Sequence, residues 1–388
     1  MLRRRVLVPT RRLLSTLSPV SLSLSHLTQQ SHVQLKAGDA APTNVEIVPV
    51  LNAEDFAIRC SAASLDSVDI NSLFSIEEAE KELKIVKKSV QDTTLQLLLP
   101  HTVDLDVAVA NGSVTLKDKV EGDVKVVLGR GNIDVNKVRG SSVSLKTNDG
   151  SIHVAALVEG ETVALEASDV RCKRLMASTA QVKLGKTSTT SEFGAIYAST
   201  CNIVTRQSEK LQVGNVHGYL RVAGEGLERV EVDSVTGALE VEDSGDKCSV
   251  AAHFDSWSDM SSSILVAGNV RVSLQPTASI DVELHGTKVT VGEGCEFVSS
   301  DMEQLEDDYA VFTGELRAQE GTAASTSSGK INVDSAKDDA MRTSFFMKES
   351  GNEEEAKMPR LFVHALQGEV ALDQLNWMDN IKRKHLKK

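Results

Sequence analysis

A chain of 388 residues with 41% apolar but only 4% aromatic residues can bury a sizeable core, built from Val, Leu and Ile rather than around an aromatic-lined pocket. The formal charge of −13 is unevenly spread: residues 1–38 carry +6, the last seven carry +5, and the body between them carries −24. That balance excludes a broad phosphate-binding surface, and so nucleic acid as a partner. No apolar run approaches the roughly 20 residues of a transmembrane helix.

Residues 1–34 are rich in Arg, Ser and Leu and free of acid. This composition predicts a disordered mitochondrial presequence and a matrix protein, the alternative being a cytoplasmic protein with a basic tail. Residues 35–100 read as a β-rich N-terminal cap. Val45-Glu-Ile-Val and Phe56-Ala-Ile-Arg-Cys alternate as strands, Ile76–Val90 fits helix or strand, and Leu95–Leu99 ends on Pro100.

From residue 101 a repeat takes over. Asn111-Gly-Ser-Val-Thr-Leu becomes Arg130-Gly-Asn-Ile-Asp-Val and then Asp149-Gly-Ser-Ile-His-Val, with glycines 19 residues apart. A Val-x-Gly element interleaves with it and opens a second alternating strand each time. The turn glycines are Gly112, Gly122, Gly131, Gly140, Gly150, Gly160, Gly218 and Gly237. A fixed period of this length marks a stacked repeat. If each coil lies on the last, Val114, Ile133 and Ile152 form one core stack. Leu116, Val135 and Val154 form a second, and Val124, Val143 and Val163 a third. The expected fold is all-β: a right-handed parallel β-solenoid with coils of about 19 residues, spanning 101–335.

The pattern weakens after residue 165. Ser168–Cys172 fills a coil slot without its glycine, Asp243–Ser263 reads as a looser excursion, and Asp301–Asp308 as an acidic loop. Ser328-Gly-Lys-Ile-Asn-Val333 restores the motif. Residues 336–388 then hold an acidic loop (Glu349–Lys357), last strands at Leu361–His364 and Gly368–Leu372, and a short basic C-terminal helix within Asp373–His385.

Catalytic motifs are missing. There is no G-x-S-x-G, Gly329-Lys330 lacks the frame of a phosphate loop, and Gly224-x-Gly226 opens no helix. His101, His153, His217, His253, His285 and His364 are dispersed, without the paired spacing of a metal site. His153 shares an outward column with Thr115 and Asp134, and His217 sits in a turn slot that tolerates Glu, Arg and Thr. Cys60, Cys172, Cys201, Cys248 and Cys295 show no C-x-x-C pair and read as small buried hydrophobes. No catalytic, cofactor-binding or metal-binding residue is expected, and no cofactor.

The alternation of Gly-x-Φ-x-Φ (Φ apolar) with Val-x-Gly, as in Val120-Glu-Gly-Asp-Val-Lys-Val and Asn148-Asp-Gly-Ser-Ile-His-Val, resembles the putative adhesins, a domain-of-unknown-function family of β-helical repeats. The resemblance covers about 101–335. It implies the solenoid fold and supplies no catalytic residues. The expectation is a non-catalytic interaction or scaffold protein with protein partners. The competing reading is a carbohydrate-active parallel β-helix enzyme.

Overall fold

Side chains alternate across a strand, so an alternating sequence buries every second residue. The computed structural model describes residues 20–62, 69–185, 187–306, 308–317, 358–375, 378–380 and 382. They form a 25-stranded sheet that coils on itself as a parallel β-solenoid. Helix is limited to short turns, among them Ile70–Leu73 and residues 378–380.

At the N-terminal end lie β1 (Val20–Ser23), β2 (Ser31–Ala37), β3 (Thr43–Val50), β4 (Ala57–Ala62), β5 (Phe74–Ala79), β6 (Glu82–Lys87) and β7 (Thr93–Pro100). The regular array runs through β8 (Val103–Glu121), β9 (Val124–Arg130), β10 (Ile133–Arg139), β11 (Ser142–Asp149), β12 (Ser151–Ala167) and β13 (Asp169–Leu184). It continues through β14 (Thr187–Arg206), β15 (Ser208–Glu225), β16 (Arg229–Asp243), β17 (Ser249–Trp257), β18 (Ser262–Val266) and β19 (Val270–Leu274). The C-terminal end holds β20 (Ile280–Gly286), β21 (Lys288–Val291), β22 (Phe297–Glu306), β23 (Tyr309–Leu316), β24 (Arg360–Ala365) and β25 (Glu369–Gln374).

Ile133 lies in parallel register with Val114 on one side and Ile152 on the other, and Val135 with Leu116 and Val154. Val143 is flanked in the same way by Val124 and Val163. All nine side chains are buried in one hydrophobic core that runs the length of the solenoid. Cys172 continues the second column beside Val154 and is followed by Phe193, Val213 and Val232.

Corners are closed by small residues. Asp104 Oδ1 accepts the Asp123 N–H at 2.7 Å, Asp123 Oδ1 accepts the Ser142 N–H at 2.8 Å, and Asn132 Oδ1 accepts the Ser151 N–H at 3.1 Å. Gly131 has φ +123°, and a Cβ there would fall on the carbonyl oxygen of Gly112 one coil below. Neither the dihedral nor the space admits a side chain. Gly131→Ala is therefore expected to destabilise by about 1–3 kcal/mol, read as a lower urea midpoint at unchanged slope.

The two ends share one construction. At the N-terminal end β2 pairs in parallel with both β6 and β8, and β3 with both β7 and β8. The coil 31–50 thus sits between 82–100 and 103–121. Antiparallel β4 and β5 then cover β7 and β6, and β1 pairs β4. At the C-terminal end β24 lies between β18 and β20, and β25 between β19 and β21. The antiparallel hairpin β22–β23 seals β20. At each end a sequence-terminal coil, β2–β3 or β24–β25, is penultimate and held under an outermost coil from further inside the sequence.

Several expectations are corrected. The segment read as disordered, 1–34, is folded from Val20: Leu24, Leu27 and Val33 are buried, because Ser31-His-Val-Gln-Leu-Lys-Ala alternates as strictly as any array strand. The boundary expected at residue 34 falls inside β2. The ambiguous stretch 76–90 holds β-hairpin strands that turn at Lys81 (φ +60°), the Glu-rich side facing water. The presumed acidic loop Asp301–Asp308 is largely strand β22, paired with β23 through its backbone. Trp257 closes β17, which pairs with β16 across two register shifts, so the excursion after Asp243 is shorter than expected. The final strands do not end the stack but enter it. Residues 378–380 are helical, and Asn380 is buried with its Nδ2 donating to the Asp233 carbonyl at 3.3 Å. The Ser328–Val333 motif and the loop Glu349–Lys357 lie outside the described residues.

The five cysteines are free thiols; four are buried and Cys295 is half-buried. Burial pushes Cys172, Cys201 and Cys248 up to about 12, and Cys60 and Cys295 up to about 11. The thiolate is the reactive form. Native protein at pH 8 is therefore expected to react negligibly with a disulfide reagent, and all five thiols should titrate once it is unfolded in urea.

Candidate functional site at the C-terminal cap

The turn glycines sit at the solenoid's corners and the core stacks in its interior, and Gly122 and Gly140 also border a shallow surface cleft of about 610 Å³. Of the eight glycines, Gly112, Gly122, Gly131, Gly150, Gly218 and Gly237 have positive φ, while Gly140 and Gly160 do not. The outward columns carry solvated ion pairs between neighbouring coils, such as Arg139–Glu159 at 2.6 Å and Lys146–Glu166 at 3.0 Å. His153 joins this set: its Nδ1 lies 3.5 Å from Asp134 Oδ1, and both side chains are about half exposed. His217 stacks flat on Tyr197 with ring centroids 4.5 Å apart.

Two clusters were not visible in the sequence. One is a Ser–His–Asp arrangement in the core. His253 Nδ1 lies 2.8 Å from Ser273 Oγ and its Nε2 lies 3.0 Å from Asp255 Oδ1, while Ser234 Oγ donates to Asp255 Oδ2. A nucleophile must be reached by its substrate. His253 and Ser273 are fully buried, so the cluster is a core hydrogen-bond network rather than a triad.

The second cluster faces solvent at the C-terminal cap. β20 and β24 are adjacent and in register, which places His285 beside His364 and Glu283 beside Phe362 on the outward face. Tyr309, at the start of β23, reaches over both imidazoles. Its hydroxyl lies 3.0 Å from His285 Nδ1 and 3.4 Å from His364 Nε2. Glu283 Oε1 accepts from His285 Nε2 at 2.7 Å, and Glu283 Oε2 pairs with Arg360. A carboxylate only accepts, so Nε2 carries the proton of neutral His285 and Nδ1 presents a lone pair to Tyr309. Burial pushes both imidazoles below their ordinary range, and His285 lowers His364 further. Both are neutral near pH 7.

Glu283 and Arg360 also border a cleft of about 890 Å³. Asp259, Asp281, Asp301 and Glu315 line it as well, so its charge is strongly negative. In a chain with so few aromatics, the grouping of Phe362, Tyr309, His285 and His364 makes this cap its most chemically differentiated surface. Sequence reasoning missed it because residues 285 and 364 become neighbours only through the inserted coil. The available signal was that Val282-Glu-Leu-His285 and Leu361-Phe-Val-His364 end on histidine in the same strand phase.

Among the described residues, no helix is long and apolar enough to cross a membrane. No family model matches the chain, and no curated protein matches it in sequence. Solved structures that match do so at low structural similarity, two of them as follows. A putative adhesin from Bacteroides fragilis NCTC 9343 shares 9% identity over 62% of this chain and 95% of its own, at a TM-score of 0.26. A putative cell adhesion protein from Clostridium sporogenes ATCC 15579 shares 8% identity over 92% of this chain and 100% of its own, at a TM-score of 0.15. The parallel β-solenoid stands on the strand registers of this chain itself.

Proposed function

We propose that this protein is a non-catalytic β-solenoid that binds protein partners, delivered to the mitochondrial matrix by the basic segment before Val20. The observation that carries the reading is the contrast between the two kinds of surface. The array presents coil-to-coil ion pairs in columns that tolerate many residue types, whereas the cap gathers aromatic, imidazole and acidic groups on one outward face. A stiff repeat with a differentiated end suits a scaffold. Proximity labelling from the full chain in intact cells tests it. A stable set of matrix partners that is lost when the cap face is mutated (Phe362→Ala, Tyr309→Ala) is the expected result, and a labelling pattern indifferent to both variants argues against it.

The folded start at Val20 sharpens the targeting expectation. Processing that removed residues 1–34 would strip β1 and half of β2, with the buried Leu24, Leu27 and Val33. The mature N-terminus is expected at or before Val20, as read by mass spectrometry of protein recovered from mitochondria. A mature chain that starts near residue 35, or a reporter carrying residues 1–19 that stays cytosolic, would count against this reading.

The acidic cleft favours a second reading, a carbohydrate-active enzyme, since paired carboxylates are the usual machinery of glycoside cleavage. Polysaccharide turnover by the purified chain that disappears with Asp281→Asn or Glu315→Gln would establish it.

A further inference from the structure

We propose that His285 Nδ1, His364 Nε2 and Tyr309 Oη form a binding site for one divalent transition-metal ion of the Zn²⁺ or Cu²⁺ class. The three donors come from three segments remote in sequence and meet on the outward face of the cap. Tyr309 Oη lies 3.0 Å from one imidazole nitrogen and 3.4 Å from the other. A tetrahedral ion with bonds of about 2.0–2.1 Å has ligand-to-ligand edges of roughly 3.3 Å, close to both separations from Tyr309 Oη, and the two imidazole rings lie 5.4 Å apart between centroids. Among the described residues no three His, Cys, Asp or Glu side chains gather for a metal. Here the third donor is a phenol.

The surroundings match what a ligating histidine needs. Glu283 accepts the His285 Nε2 proton at 2.7 Å and is itself clamped by Arg360. That fixes the tautomer and aims the Nδ1 lone pair, the usual role of a carboxylate behind a metal-bound imidazole. Phe362, 5.4 Å from His285 between ring centroids, walls one side. On binding, Tyr309 releases its hydroxyl proton to solvent, and the proton on His364 Nε2 is replaced by one on Nδ1. Imidazole and phenolate suit Zn²⁺ and Cu²⁺ and disfavour Mg²⁺ and Ca²⁺. A bound ion would tie the inserted strand β24, the outermost strand β20 and the sealing hairpin together at one point.

The test is equilibrium dialysis and calorimetry of the full chain, freed of metal with chelator, against Zn²⁺ alone. The expected result is one Zn²⁺ equivalent that disappears in both His285→Ala and His364→Ala. Tyr309→Phe and Glu283→Gln should each weaken it about 10-fold or more. With Cu²⁺, a phenolate-to-metal charge-transfer band should appear and be lost in Tyr309→Phe. All four side chains lie on the outer face, and circular dichroism checks that each variant keeps its fold. Zn²⁺ stoichiometry unchanged in the two histidine variants overturns the site, as does the absence of micromolar binding to the native chain. Unaltered affinity in Tyr309→Phe overturns the three-donor assignment.

Discussion

Ile133→Asp abolishes folding of the central coils, whereas Asp134→Ser, one residue along, leaves stability within about 0.5 kcal/mol of the native chain. Ile133 is fully buried between Val114 and Ile152 in the same ladder. Replacing it forfeits roughly 1.5–3 kcal/mol of apolar burial. It also places a carboxylate where no partner exists, which raises the loss beyond 4–5 kcal/mol, a large part of a whole domain's stability. Asp134 points outward, half exposed, and its contact with His153 is a surface pair of little energetic weight. Chemical denaturation followed by circular dichroism separates the two. Equal midpoints for both variants would refute the stacking.

A chain that stops at residue 317 loses the inserted coil of its C-terminal cap. It lacks β24 and β25 and with them the buried Leu361, Val363, Ala365, Val370 and Leu372. At about 1.5–3 kcal/mol for each larger aliphatic side chain, the missing coil accounts for on the order of 10 kcal/mol of burial. The four strands that flanked it, β18, β19, β20 and β21, are left with open edges, and open parallel edges recruit other chains. The expected product is aggregated, or soluble with hydrogen-exchange protection lost from Val270–Leu274 and Ile280–Gly286. A monomer whose protection is native in both strands would show that the inserted coil is dispensable.

The centre of the fold could be read from residues because its rule is local. Gly131 marks a corner and Ile133 and Val135 mark the buried face, and the next coil repeats both 19 positions later. The inserted coil obeys the same rule. Gly368-Glu-Val-Ala-Leu rests on Gly268-Asn-Val-Arg-Val, with the Glu369 N–H donating to Asn269 Oδ1 at 2.9 Å as at the array's corners. The motif showed that these residues stack but not on what, since a period gives phase and not neighbour. For the same reason the basic composition of residues 1–34 hid a strand that is buried beside β8. The cap cluster depended wholly on that missing order, because His285 and His364 are 79 residues apart in sequence and side by side in space. Tyr309 joins them through an antiparallel turn that the acidic Asp301–Asp308 stretch disguised.

The placement of the coils β2–β3 and β24–β25 under a covering coil also determines how the molecule bears load. A repeat array whose ends are its outermost coils gives way by peeling, one coil at a time, because each coil is held by a single neighbour. Here β1 is held by β4 alone, but the coils behind the ends, β2 with β3 and β24 with β25, are bonded along both edges. Neither of these inserted coils can be drawn out without shearing two ladders at once. Once β1 has left β4, tension meets its greatest resistance at the inserted coils, so the rod resists stretching close to the ends that would otherwise be its weakest points.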